Sequence, residues 1–348
     1  MKIGILLPHS KVEPGMGKSF IDAIHENVPG EYTFCIESIG FAENPERNAS
    51  GYEKLVFQEK ANVVIALLGE YGIEHLYEKA EVLQVPLLVT TLGAKASNAV
   101  RNDYVFELSY GMVDAMSAIG NLCADRRWKK LGYSSSFNDA GYGFLRALEY
   151  SLYHFGGEFS AHYIPPNTPR EDEPDFHNAF YNEAGESDVF CEVYNGLYAW
   201  ENLEYWKRFK RKVDRPLIAS PLQLNESYID VVGDKVSELL TVSTWIPPDF
   251  AGLGERPNSA FALLGREVGL LLRDMDPDNI LESIKGTGVE GPRGQISWKN
   301  QRYTGVHSLW RLSDAGNPVF EKVADLEVPD LKDDQESSSG WYNAYLCY

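Results

Sequence analysis

The chain has 348 residues, with 32 Lys and Arg against 51 Asp and Glu, a formal net charge of −19. That balance excludes a nucleic-acid surface, which needs clustered cations facing phosphates, and docking on an anionic membrane. Hydrophobic residues at 44% and aromatics at 12% exclude global disorder and suffice for two domains of ordinary size.

Residues 2–7, KIGILL, read as a buried strand that follows Met1 directly. Roughly six apolar residues precede Pro8, too few for a secretory h-region, and no stretch of about 18 apolar residues occurs anywhere. The expectation is a chain with no membrane insertion. It is cytoplasmic if Met1 is native, and periplasmic or otherwise extracytoplasmic if a leader has been removed. After the loop PHSKVEPGMG, residues 18–28 have helical spacing, YTFCIESIG is a second strand and PERNASGYEKLVFQEK a second helix. ANVVIALLG, YGIEHLYEKAEVLQ and VPLLVTTLG continue as strand, helix and strand, and YVFELSYG adds a short strand. Such alternation predicts βαβ units and a parallel sheet.

The rhythm restarts at residue 113 with helix VDAMSAIGNLCADRR and strand KKLGYSS. The polar turn Asn138-Asp139-Ala140-Gly141 follows, then Tyr142-Gly143 opens a helix closing on Gly156-Gly157. Strand EFSAHYI, helix FHNAFYNEAG, strand SDVFCEVYN, helix ENLEYWKRFKRKV, strand RPLIAS, helix NESYIDVVG and strand SELLTVSTW complete this half. IPPDFAGLGERP reads as a crossing segment before two helices and GPRGQISW, and SLWRLSDAGNPVFEKVADL reads as a hairpin. The acidic, Ser-rich segment from residue 330 to 348 is expected to be mobile, although its end, WYNAYLCY, is aromatic enough to dock on the protein.

Chemistry-bearing motifs are few. EPGMGKS is similar to the phosphate-binding loop G-x-x-x-x-G-K-[ST], but Val12 stands where its first Gly must be. The seven His residues form no H-E-x-x-H or HxH pair, and no G-x-S-x-G elbow occurs. Cys35, Cys123, Cys191 and Cys347 are far apart with no CxxC, which points to small buried thiols rather than a metal site or disulfide. No catalytic residue, metal or cofactor is expected.

The series KIGILLPHS, VVIALLG, VPLLVTTLGA, YVFELS, NDAGYG, SDVFCEVYN, PLIASP and GPRGQISW, in this order, resembles the type I periplasmic binding protein fold in its branched-chain amino-acid (Leu/Ile/Val) ABC-transporter substrate-binding branch. The resemblance implies an α/β chain with two Rossmann-like lobes, parallel sheets, three hinge crossings and closure on a ligand between the lobes. Lobe one would be 1–112 plus 247–300, and lobe two 113–246 plus 301–348.

It also implies ligand contacts. In lobe one these fall on Met16, Glu70, Tyr71, Thr91, Leu92, Gly93 and Ala94. In lobe two they fall on Tyr142, Tyr194, Tyr198 and Leu222. Several have plainer alternatives: Glu70 as a helix-capping residue, Tyr142 as a packed helix-cap aromatic, Tyr198 as a solvent-facing helix start, Thr91 and Gly93 as a turn. Two positions depart from the family pattern. Glu70 stands where a Ser is usual and would repel a ligand carboxylate unless protonated or turned away. Pro221-Leu222-Gln223 lacks the acid that often takes an amine. The expected function is a solute-binding protein for a small polar metabolite, an amino acid, amide or related compound. It would serve as an ABC-transport receptor beside a permease, or as a cytoplasmic ligand sensor beside a regulatory protein. The alternatives are a protein-interaction module with a degenerate cleft and, less favoured, an enzyme.

Overall fold

A computed structural model of the chain describes residues 1–95, 100–209, 211–247, 259–286, 288–314, 318–329 and 340–348. The chain falls into two compact units. The first comprises Met1–Gly111, Pro257–Gly305 and Tyr342–Tyr348, and the second Met112–Arg256 and Val306–Trp341.

In chain order, the first unit holds β1 (Lys2–Leu7), α1 (Met16–His25), β2 (Thr33–Ser38), α2 (Pro45–Phe57), β3 (Val63–Leu67), α3 (Ile73–Leu83), β4 (Leu87–Thr91) and β5 (Val105–Ser109). The second unit holds α4 (Met112–Asp125), β6 (Lys130–Ser135), a 3-10 turn (Asp139–Gly141), α5 (Phe144–His154), β7 (Glu158–Tyr163), α6 (Glu173–Glu183), β8 (Val189–Val193), α7 (Leu197–Arg208), β9 (Val213–Ala219), α8 (Glu226–Val232) and β10 (Val236–Ser243). The chain returns to the first unit for α9 (Ser259–Arg273), α10 (Ile280–Lys285), β11 (Glu290–Gly291), β12 (Gly294–Gln295) and β13 (Arg302–Tyr303). It closes the second unit with the hairpin β14 (Ser308–Asp314) and β15 (Val319–Asp325).

The first sheet runs β13-β5-β4-β3-β1-β2, and every pairing is parallel. β3, β4 and β5 are buried along their whole length, as apolar runs covered on both faces must be. β2 lies at the edge, and all of its residues are exposed or half-buried. Helix starts follow local chemistry: Asn44 accepts the backbone N–H of Arg47 at 3.0 Å with Pro45 at the first helical position of α2, and Asn225 accepts that of Tyr228 at 2.9 Å to open α8.

The second sheet runs β15-β14-β10-β9-β8-β6-β7. Its five-strand body from β10 to β7 is parallel, but β14 pairs antiparallel with both β10 and β15. The expected parallel sheets are present, and the hairpin read from the sequence adds the antiparallel edge, because a tight hairpin reverses direction where a helical crossover would preserve it.

The partition also revises the crossings. The chain passes between the units after residues 111, 256, 305 and 341, four times rather than three. β13 belongs to the first sheet because Arg302 and Tyr303 pair with Glu107 and Leu108 of β5. Residues 342–348 belong to the first unit and not to lobe two. The expected mobility of 330–348 lies outside the described residues for 330–339. It is corrected for the aromatic end, where Ala344, Tyr345, Leu346 and Cys347 are buried.

Candidate functional site

In the first unit, the register of β3 with β4 sets Leu67 beside Thr90 and brings the two following loops together. The Thr91 hydroxyl donates to Glu70 Oε1 at 2.7 Å and accepts the Gly93 N–H at 3.0 Å. Gly93 adopts a φ of +68°, a left-handed conformation that glycine takes at little cost and that turns the chain back toward Thr91. Leu92 and Ala94 point inward and are buried. Met16, the first residue of α1, is also buried. Tyr71 is exposed and its ring lies 4.3 Å from that of Tyr342.

Half-buried Glu70 is the titratable centre of this edge. Its carboxyl is pushed up to about 7, chiefly because burial strips water from the charged form. The Thr91 hydrogen bond works in the opposite direction, and the neighbouring Glu107 carboxylate adds repulsion. Because the folded value lies above the unfolded one, the stability this group contributes is present below about pH 4.5 and lost as pH rises through 7. Glu70→Gln keeps an oxygen for Thr91 and cannot ionise. The variant is expected to match the wild type at pH 4 and exceed its stability at pH 8 by on the order of 1–2 kcal/mol, allowing for partial exposure. Urea unfolding at both pH values checks this, and parallel pH profiles for the two proteins would show that Glu70 titrates normally.

In the second unit, the loops after β6, β8 and β9 are joined by a buried polar network. Asp139 Oδ2 accepts the Ser136 hydroxyl at 2.6 Å and the Asn195 N–H at 3.1 Å, and Ser220 donates to Asn195 Oδ1 at 2.7 Å. Asp139 is therefore a turn-maker that also ties two strand ends together. Tyr142 leaves this turn with its N–H on the Asp139 carbonyl at 3.1 Å, and its ring, 7% exposed, lies 6.2 Å from Phe144. The half-buried Tyr198 hydroxyl accepts from Asn138 Nδ2. Tyr194 is buried, its hydroxyl against Ser134 Oγ and its N–H donating to Gln223 Oε1 at 3.1 Å. Leu222 is half-buried, while Gln223 turns fully inward and donates to Glu192 Oε2 at 3.0 Å. The position after β9 thus presents no acid.

Ser136, Asn195 and Ser220 were not singled out from the sequence, and Gln223 was noted only for the acid it replaces. The available signal was the run Ser134-Ser135-Ser136 and the single Asn195 at the ends of apolar strands, where short polar residues mark loops that bond back. A separate pocket of about 170 Å3, lined by Cys123, Arg127, Trp128, Lys129, Leu152 and Phe155, lies at the opposite end of α5 from Tyr142. Among the described residues no cluster of three His, Cys, Asp or Glu is placed to hold a metal, and no helix is long and apolar enough to cross a membrane.

No protein-family model matches the sequence, and no curated protein matches it. Solved structures do. An ABC transporter substrate-binding protein from Sphaerobacter thermophilus aligns over 94% of this chain and 98% of its own at 16% identity and a TM-score of 0.71. A solute-binding protein of an ABC transporter from Rhodopseudomonas palustris BisB5, in complex with 3,4-dihydroxybenzoic acid, aligns over 94% and 98% at 18% identity and a TM-score of 0.68. A leucine-binding protein from Thermotoga maritima MSB8 aligns over 95% and 100% at 15% identity and a TM-score of 0.60.

The chain has the type I periplasmic binding protein fold. In a type I fold both sheets carry loops at the carboxyl ends of their parallel strands, the edge at which open α/β sheets take ligands. In this chain Glu70, Tyr71 and Thr91–Ala94 stand on that edge of the first sheet. Tyr142, Tyr194, Tyr198 and Leu222 stand on that of the second.

Proposed function

We propose that this type I protein is a solute-binding protein that takes a small polar metabolite, an amino acid, an amide or a related compound. Its setting is extracytoplasmic, as the receptor of an ABC importer with a permease as partner, and it performs no covalent chemistry. The observation that carries the reading is the Glu70–Thr91–Gly93 arrangement. It holds a half-buried carboxyl near neutrality next to a hydroxyl and a turn, on the ligand edge of the first sheet. Near pH 7 such a carboxyl exists in both forms. It therefore receives an amide or amine when ionised and tolerates a ligand carboxylate when protonated. The solved neighbours include a leucine-binding protein and solute-binding proteins in complex with hydroxylated benzoates, which supports screening amino acids and aromatic acids first. They support the importer setting over the cytoplasmic sensor.

A thermal-shift screen of purified protein against amino acids, amides, polyamines and small aromatic carboxylates tests this. A ligand at a hundred times its dissociation constant adds roughly 2.7 kcal/mol and a readable shift in Tm. Tyr142→Ala is expected to weaken the hit about tenfold or more by removing a flat apolar contact on the second edge. The ligand-induced increment is measured against each protein's own ligand-free Tm, so any loss of basal stability is subtracted. Undiminished binding would take Tyr142 out of the site, and a screen with no shift, in protein shown ligand-free by native mass spectrometry, would overturn the proposal.

A further inference from the structure

Residues 342–348, YNAYLCY, are docked at the candidate edge of the first unit. In the first unit, Ala344 donates its N–H to the Phe41 carbonyl at 2.9 Å. Lys11 N–H donates to the main-chain oxygen of Tyr348 at 2.9 Å, and the Ser10 hydroxyl donates to the Leu346 carbonyl. The segment is folded on itself by the Cys347 N–H on the Ala344 carbonyl at 2.9 Å and by Asn343 Nδ2 on the Cys347 carbonyl at 2.8 Å. Leu346 adopts a φ of +64°, a conformation disfavoured for a side chain of its size, and its side chain is fully buried. A peptide lying loosely on a surface does not hold such a backbone; a seated one does.

The residues beneath it belong to the ligand edge already described. The Tyr342 ring lies 4.3 Å from that of Tyr71, with Lys95 Nζ 5.7 Å from its centre. Cys347 Sγ is 3.6 Å from Met16 Sδ. The backbone of Ala344 lies so close to Gly69, the residue before Glu70, that a Cβ built there would come within 2.9 Å of its Cα. In the second unit, the Trp341 N–H donates to the Gly141 carbonyl at 3.1 Å and its Nε1 to the Asn138 carbonyl at 2.9 Å, on the turn that delivers Tyr142.

We propose that the carboxyl edge of the first sheet is a peptide-binding site and that Tyr342–Tyr348 is its resident occupant. Backbone hydrogen bonds hold the peptide, and buried tyrosine and leucine side chains anchor it. A small molecule using the Glu70–Thr91 loops therefore competes with a ligand the chain carries itself; this consequence rests on the solute-binding reading above. A tethered segment acts at an effective concentration in the millimolar range, so even a modest intrinsic affinity keeps the site filled. The affinity for an external ligand is reduced by the fraction of molecules whose site is free.

The test uses a protein ending at Gly340 and a synthetic peptide of residues 341–348 with serine in place of its cysteine. Isothermal titration is expected to show one-to-one binding of the peptide to the shortened protein. Binding to the full-length chain is expected to be at least about tenfold weaker. Equal binding to both, or no binding to a shortened protein that keeps its far-UV spectrum and a cooperative melt, would overturn the proposal. Gly69→Ala in the shortened protein provides a second test, of the seat itself. Gly69 has no left-handed φ, so the backbone accepts alanine, and the added methyl pushes directly on Ala344 of the peptide. This variant is expected to bind the peptide about tenfold more weakly than the shortened protein itself, and an unchanged affinity counts against the proposal. Screened with amino acids and aromatic carboxylates, the shortened protein is expected to bind any hit about tenfold more tightly than the full chain; equal affinities overturn the competition. No hit with either protein overturns the solute-binding reading, while the peptide titration still decides the occupancy.

Discussion

Replacing Glu192 by alanine is expected to cost about 3–5 kcal/mol of stability, a large share of what holds an ordinary domain together. Glu192 sits on β8 in the centre of the second sheet and is fully buried. Its Oε1 accepts Trp206 Nε1 at 2.8 Å and the Tyr181 hydroxyl; its Oε2 accepts the Tyr228 hydroxyl at 2.7 Å, Asn202 Nδ2 at 2.9 Å and Gln223 Nε2 at 3.0 Å. His177 Nε2 lies 3.5 Å away. Burial by itself raises the carboxyl, but His177 and the hydroxyls of Tyr181 and Tyr228 outweigh it and the net shift is downward. Alanine removes the common acceptor and leaves these donors buried without a partner, the situation that costs most. Glu192→Gln recovers only part of the loss, because its NH2 points a donor at other donors. Since the folded value is depressed, the carboxylate's contribution is complete above the unfolded value near 4.5 and disappears on the acid side. The wild type and Glu192→Ala are thus expected to converge as pH falls below 4. Denaturant unfolding at pH 7 and in acid measures both effects. A loss under about 1 kcal/mol at pH 7 would mean that the network contributes little.

A comparable loss, about 3–5 kcal/mol, is expected for Arg293→Met in the first unit. Arg293 and Glu267 of α9 are both fully buried and meet in a two-pronged pair, Nε to Oε1 at 2.8 Å and Nη2 to Oε2 at 2.5 Å. The remaining nitrogen, Nη1, donates to the carbonyls of Ser109 at 2.7 Å and Thr304 at 2.8 Å. These two residues end β5 and follow β13, just before the chain leaves the unit at Gly111 and Gly305. One side chain therefore clamps the ends of two crossing strands to a helix. Removing it alone strands the Glu267 carboxylate in the core. Removing both partners as Arg293→Met with Glu267→Met removes the charge problem and leaves only two carbonyls short of a donor. The double variant is expected to be more stable than Arg293→Met, and a double-mutant cycle gives the coupling. Additive losses would show that the two charges act independently.

The alternation of strands and helices was legible along nearly the whole chain because each element announces itself locally. VVIAL and LLVTT are apolar runs of strand length, and the segment after Tyr142-Gly143 repeats apolar residues at helical spacing. The hairpin β14–β15 was legible for the same reason. β13 was not. Two residues have no periodicity, and Arg302-Tyr303 becomes a strand only because β5 offers an open edge. At the candidate site, the sequence singled out Glu70, Thr91 and Tyr142 by their places after strands. It carried no sign that Gln223 turns inward or that Asn195 and Ser220 bond across the loops.

By itself, the sequence determined the α/β class, the doubled rhythm and the loops that bear the candidate ligand residues. Those properties depend on side-chain period and turn chemistry within about ten residues. Only the tertiary structure decided what the non-local groups do. Glu192 is an acid in an apolar strand until residues 177, 181, 202, 206, 223 and 228 surround it. WYNAYLCY follows a segment whose composition predicts mobility, yet Gly69, Tyr71, Met16 and Phe41 give its backbone and aromatic rings a seat. Burial and hydrogen bonding between residues distant in the chain, whether across one lobe or from end to end, are set by packing, and no local pattern encodes them.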